Sequence, residues 1–144
     1  MKLTPPEAPK DGTNAAQGET PPAVSLRVDI LTKRADFQRA SRALHVATTG
    51  FILQMRQRRP DETTAHPGGI RVGFTCSKKV GNAVARNRAK RRLREVARLI
   101  LPHHGQPGMD YVLIGRRGAT AELPFTQLQS DMHKALGILH GRRK

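Results

Sequence analysis

Two stretches of the chain alternate side chains at the two-residue period of a strand. In one, Phe51, Leu53 and Met55 alternate with Ile52, Gln54 and Arg56; in the other, Ile70, Val72, Phe74 and Cys76 alternate with Arg71, Gly73, Thr75 and Ser77. A short strand around His45 to Thr48 pairs with the first, and Gly50 marks the break between them. Three other stretches have helical spacing. Thr32 is placed to cap a helix from about Lys33 to Ala43, with Phe37, Ala40, Ser41 and Leu44 on one side. Asn82 follows Gly81 and precedes a long run without Gly or Pro, so it caps a helix that ends before Pro102. Along that helix Ala85, Ala89, Leu93, Val96 and Ile100 form a single apolar stripe. Phe125, Leu128, Met132, Ala135, Leu136 and Leu139 trace a last helix, with Pro124 at its start. Tyr111 to Ile114 is an unbroken apolar run, as in a central strand covered on both faces, while Gln57 to Gly69 and Pro102 to Gly108 read as loops. Helix, two or three strands, helix, strand, helix predicts an α+β fold in which a small mixed sheet packs against three helices.

Composition narrows the class. The 144 residues suffice for one domain. Hydrophobic residues make up 37% and aromatic ones 3%, so the core is aliphatic. One Cys excludes a disulfide scaffold and points to a reducing, cytoplasmic setting. No apolar run approaches the roughly 20 residues of a membrane span, and Met1 to Pro22 lacks the apolar centre of a secretory signal. Five of the ten prolines (Pro5, Pro6, Pro9, Pro21 and Pro22) fall within residues 1–23, which read as a disordered extension. The domain then spans 24–140, followed by a basic tail over 141–144.

Charge points to the partner. Lys and Arg number 26 against 11 Asp and Glu, a net charge of +15. Such an excess repels itself and calls for a polyanion, with nucleic acid ahead of an anionic membrane surface. The most informative cations are on the Asn82 helix, where Arg86, Arg88, Lys90, Arg91, Arg92, Arg94 and Arg98 occupy nearly all the circumference outside the apolar stripe. Like charges three and four residues apart repel by a few tenths of a kcal/mol per pair, roughly. RNA phosphates would repay this, because guanidinium groups fork onto phosphate oxygens and release counterions. The scarcity of aromatic residues argues against a generic base-stacking platform.

No protein-borne catalytic or metal site is expected. His103 and His104 are neighbours in a loop and cannot flank one phosphate as acid and base. His45, His66, His133 and His140 are scattered without metal-ligand spacing, and Cys76 reads as a small core residue. Glu95 has Arg91 and Arg98 within ion-pair reach on its own helix.

The run from Arg71 to Arg91, RVGFTCSKKVGNAVARNRAKR, strongly resembles the signature of the bacterial ribonuclease P protein family, including its Arg-Asn-Arg helix at Arg86 to Arg88. Leu31 to Phe37 resembles the family's lead-in to its first helix, Asp110 to Ile114 sits where its late strand falls, and the likeness covers roughly Ile30 to Leu139. The resemblance implies a ribonucleoprotein subunit that helps remove the 5′ leader of precursor tRNA, an endoribonuclease only as holoenzyme, with catalytic Mg²⁺ held by the RNA subunit. Its partners would be that catalytic RNA and precursor tRNA; the sequence itself points to no membrane, and no protein partner is evident in it. It implies a two-layer, ribosomal-protein-like sandwich with a left-handed βαβ crossover. Lys78, Lys79, Arg86, Asn87, Arg88, Lys90, Arg91 and Arg94 match the motif and would meet the RNA; Phe37, Phe51 and Thr75 match positions of a cleft for the leader. Ser41 and Gln54 stand where many or some members carry further aromatics, so base stacking is expected to be thinner here. The alternative reading is a structural ribosomal or RNA-assembly protein of the same fold. A third class, a DNA-compacting protein, would bind duplex DNA as well as structured RNA.

Overall fold

The computed structural model describes residues 26–142. The proline-rich segment 1–23 and the end of the basic tail, 143–144, lie outside the described residues. Five strands, β1 (Val28–Ile30), β2 (Leu44–Ala47), β3 (Phe51–Gln57), β4 (Ile70–Thr75) and β5 (Met109–Gly115), form one sheet in the order β1-β4-β5-β3-β2. β1, β4 and β5 run parallel, β3 runs antiparallel to β5 and β2 antiparallel to β3, so the sheet is mixed. The helices are α1 (Arg34–Ser41), α2 (Ala83–His104), the short α3 (Ala119–Glu122) and α4 (Phe125–Arg142).

Strand β1 carries no alternation long enough to be seen in three residues; its edge pairing with β4 defines it. Lys33, not Thr32, precedes α1, with no side-chain cap. α2 runs through Pro102 to His104. The ring falls in the last turn, Gly105 N–H still reaches Leu101 O at 2.8 Å, and Pro102 O accepts from Leu26 N–H at 2.8 Å. His103 and His104 are thus helical rather than in a loop. Gly141 and Arg142 likewise extend α4 instead of forming a tail.

The strand parity separates two faces. Phe51, Leu53 and Met55 on β3, Val72 on β4, and Tyr111 and Leu113 on β5 pack with Leu93, Val96, Ile100, Leu128, Met132 and Leu139 of α2 and α4. On the other face Val112 meets Leu31 and Ala40, with Phe37 and Ile114 against them, so α1 lies opposite the long helices. An L-residue in a strand running upward, seen with its side chain toward the viewer, points N–H and C=O to the right. Leu31, on the α1 face, donates to Val72 O at 2.8 Å. From that face β4 therefore stands right of β1 and β5 right of β4, while α2, which joins β4 to β5, lies behind. The crossover is left-handed, as the resemblance implied and against the common rule.

Alternation would put Arg56 on a solvated face, yet Arg56 and Arg58 are buried. They converge with Arg71 on Asp110, which is 0% exposed. Arg71 grips Asp110 through two bonds of 2.8 and 2.7 Å, Arg58 at 2.7 Å and Arg56 at 3.2 Å. Glu62 also pairs with Arg56, and Arg71 reaches across to Asp36 of α1 at 3.4 Å. Buried charge persists only when it is matched in this way.

Candidate nucleic-acid interface

The approach to α2 is built by local caps. Ser77 Oγ accepts from Lys79 N–H at 3.3 Å, turning the chain into a 3₁₀ turn over Lys78–Val80. Gly81 leaves that turn at φ 146°, a conformation L side chains rarely adopt. Asn82 Oδ1 then accepts from Ala85 N–H at 2.9 Å, so Asn82 is the predicted cap. The turn holds Lys78 and Lys79 exposed, immediately before the cationic helix.

The structure divides the cations of α2 by task. Ala89, Leu93, Val96 and Ile100 are buried as expected, Ala85 is half-buried, and Ala97 and Leu101 widen the stripe. Arg88 Nε donates to Ala121 O at 2.9 Å. Arg92 donates to Thr120 O at 2.9 Å and to Leu123 O. These carbonyls end α3, where the helix dipole is negative. Burial, with the charge of Arg88, lowers the pKa of Arg92. Part of the charge crowding is therefore relieved inside the molecule, which helical spacing alone did not reveal. Arg86 bonds Gly81 O at 3.3 Å and is half-buried. Asn87, Arg91 and Arg94 are exposed and Lys90 half-buried, and Lys78, Lys79, Lys90, Arg91 and Arg94 have no ion-pair partner among the described residues. Glu95, the acid of this run, is taken by Arg98.

The three cleft positions separate. Phe37 is half-buried and lies over Gly73, where a Cβ would come within 2.5 Å of its ring; a glycine in this strand is what lets α1 approach. Thr75 shares the face of Gly73 and is exposed at the end of β4. Phe51 does not belong with them. It is 0% exposed in the core beneath α2 and α4, because its parity with Leu53 and Met55 turns it to the opposite face. Gln54, on the cleft face, is half-buried and Ser41 exposed. The sheet face that carries Phe37 and Thr75 and the cationic helix occupy opposite sides of the sheet and meet where Thr75 leads into Lys78.

Other candidates are settled by placement. Cys76 is half-buried, and burial pushes its thiol pKa up. His104 and His133, far apart in sequence, stand edge to face with ring centroids 4.8 Å apart. His104 is exposed, and partial desolvation, then the charges of His133 and His103, holds it below the ordinary imidazole value. Among the described residues no group of three His, Cys, Asp or Glu side chains could hold a metal ion. Nor is any described helix long and apolar enough to cross a membrane.

The model of the family Ribonuclease P matches residues 27–140. A ribonuclease P protein component of Ruegeria pomeroyi is 56% identical over 124 residues, covering 83% of this chain and 96% of that protein. One from Caulobacter vibrioides is 47% identical over 112 residues, covering 78% and 71%. Among solved structures, the Staphylococcus aureus RNase P protein superposes with a TM-score of 0.60 at 30% identity, covering 76% of this chain and 94% of that one. The Thermotoga maritima RNase P protein shares the fold, with a TM-score of 0.61 at 22% identity over 81% and 99%.

Proposed function

The chain belongs to the ribonuclease P protein family, and from that premise we propose how its surfaces serve the holoenzyme. The family's role is the 5′ maturation of tRNA in a ribonucleoprotein, and the chain has a part in that holoenzyme. In our reading, the turn at Lys78 and Lys79 and the outward cations of α2, namely Arg86, Lys90, Arg91 and Arg94, bind phosphates of the catalytic RNA, with Asn87 beside them. Arg88 acts from behind, holding α3 in place. Phe37 and Thr75 line the cleft that receives the single-stranded 5′ leader of precursor tRNA.

The observation that carries this reading is the segregation of charge. Asp36, Glu62 and Asp110 are paired with arginines inside the fold, while α2 presents cations without acidic partners. The protein's contribution is electrostatic and positional: it reduces phosphate repulsion between RNA subunit and substrate, and it holds the leader at a fixed place. The described carboxylates are engaged by guanidinium groups or scattered, a poor donor set for Mg²⁺. We assign the catalytic Mg²⁺ and the hydrolytic step to the RNA, and the cytoplasm as the setting.

The test is reconstitution with the cognate RNA subunit. Adding the full chain should permit precursor-tRNA cleavage at Mg²⁺ concentrations at which the RNA alone is inactive. No stimulation at any Mg²⁺ concentration would overturn the proposal.

A further inference from the structure

Beside the cationic face, Ile30, Leu31, Phe74, Lys90 and Arg94 enclose a cavity of about 330 Å³ between edge strand β1 and α2. Its floor is apolar yet open: Ile30 is 60% exposed and Phe74 half-buried. Lys90 and Arg94, one helical turn apart, bring two positive charges to its rim. A third kind of contact comes from the backbone. Leu31 N–H is spent on Val72, so by strand alternation the N–H and C=O of Ile30 face away from β4, along the edge that no strand among the described residues covers.

An apolar slot with an aromatic ring, two cations on one rim and a free backbone edge matches one ligand chemistry. We propose that this cavity seats a single unpaired nucleotide of RNA. The base lies on Ile30 and Phe74, its flanking phosphate meets Lys90 and Arg94, and its polar edge meets the Ile30 backbone. An aliphatic peptide would leave both cations unmatched; the volume falls near the lower end of the roughly 300–1,000 Å³ typical of small-molecule pockets. The inference rests on the assignment of α2 to the RNA side and adds base recognition to what was a phosphate-binding surface. The nucleotide could come from the catalytic RNA or from the precursor leader.

The experiment uses reconstituted holoenzyme with a photoreactive phenylalanine replacing Ile30. Irradiation is carried out with the RNA subunit alone and again with leader-labelled precursor tRNA, and adducts are mapped by primer extension. The expected result is an adduct at one unpaired nucleotide; the arm in which it appears identifies its source. In parallel, Ile30→Ser, at an exposed edge position, should weaken binding of that RNA roughly tenfold, with the salt dependence unchanged. Lys90→Gln should instead lower the salt slope by about one. Wild-type affinity in Ile30→Ser, or adducts spread over duplex positions, would overturn the nucleotide site. If Lys90→Gln and Arg91→Ala both left the slope unchanged, the underlying assignment of α2 would fall instead.

Discussion

Asp110→Asn tests the buried charge cluster most directly. The substitution preserves volume and removes one negative charge from a site that three guanidinium groups enter. Asp110 is 0% exposed, and the side chains of Arg56, Arg58 and Arg71 are only 9%, 4% and 18% exposed, so water cannot replace the lost carboxylate. Removing one member of a buried ion pair costs about 3–5 kcal/mol, because the remaining charge stays desolvated. Total stability of a domain is about 5–15 kcal/mol, so about a fifth of it or more would be lost. At a few degrees per kcal/mol for a domain of this size, the melting midpoint should fall by roughly 10–20 °C. Thermal and urea unfolding followed by circular dichroism would measure it. Glu95→Gln, which breaks an exposed pair, is the control and should barely move the midpoint. Adding Arg71→Gln to Asp110→Asn should recover part of the loss, since it removes one unmatched cation. A fall of less than about 3 °C in the single variant would refute the reasoning.

Arg91→Ala should lower the salt slope of RNA binding by about one without changing the melt, whereas Arg88→Ala should lower the melt because Ala121 O loses its donor; identical melts would rule out the internal role. Phe37→Ala should weaken binding of leader-bearing precursor about tenfold relative to leaderless tRNA, while Phe51→Ala should cost about 3–5 kcal/mol of stability; a leader-specific effect at Phe51 would contradict its burial. Burial raises the Glu62 pKa, but the bonds from Arg56 and from Arg59 N–H outweigh it, so the folded value lies below the unfolded one. Its stabilisation is present above about pH 4.3 and lost as pH falls through the folded value; Glu62→Gln should lessen that acid loss in urea titrations. His104 has its folded pKa lowered by partial desolvation first, so stability is full above about pH 6.5 and declines on acidification; His104→Gln should flatten the urea midpoint between about pH 7.5 and 5.5.

How far the sequence reaches depends on whether a feature is local. The period of β3 and β4, the Asn82 cap and the stripe of α2 each depend on residues a few positions apart, and all are present in the structure. Phe51 shows where local pattern stops: apolar residues occupy both parities of β3, so alternation cannot say which face carries α1 and which carries α2 and α4. Arg88 and Arg92 show a second limit, because a helical angle does not reveal that the carbonyl end of α3, some thirty residues later, comes to rest against it.

Asp110 is the deepest case. Its partners at positions 56, 58 and 71 come from β3, a loop and β4, and only the parallel and antiparallel registers that pair Asp110 with Arg71 and with Arg56 bring them together. That placement also changes what the net charge of +15 means. The buried arginines Arg56, Arg58 and Arg71 take up Asp36, Glu62 and Asp110, so these acids do not offset cations on the surface. The densest run of cations, seven in all, lies on α2, whose own acid, Glu95, is already paired. The cost of crowding on α2 is then partly met within the fold through Arg88 and Arg92, and the remainder, Arg86, Lys90, Arg91 and Arg94, with Lys78 and Lys79 just before the helix, is what the proposed RNA contact would neutralise.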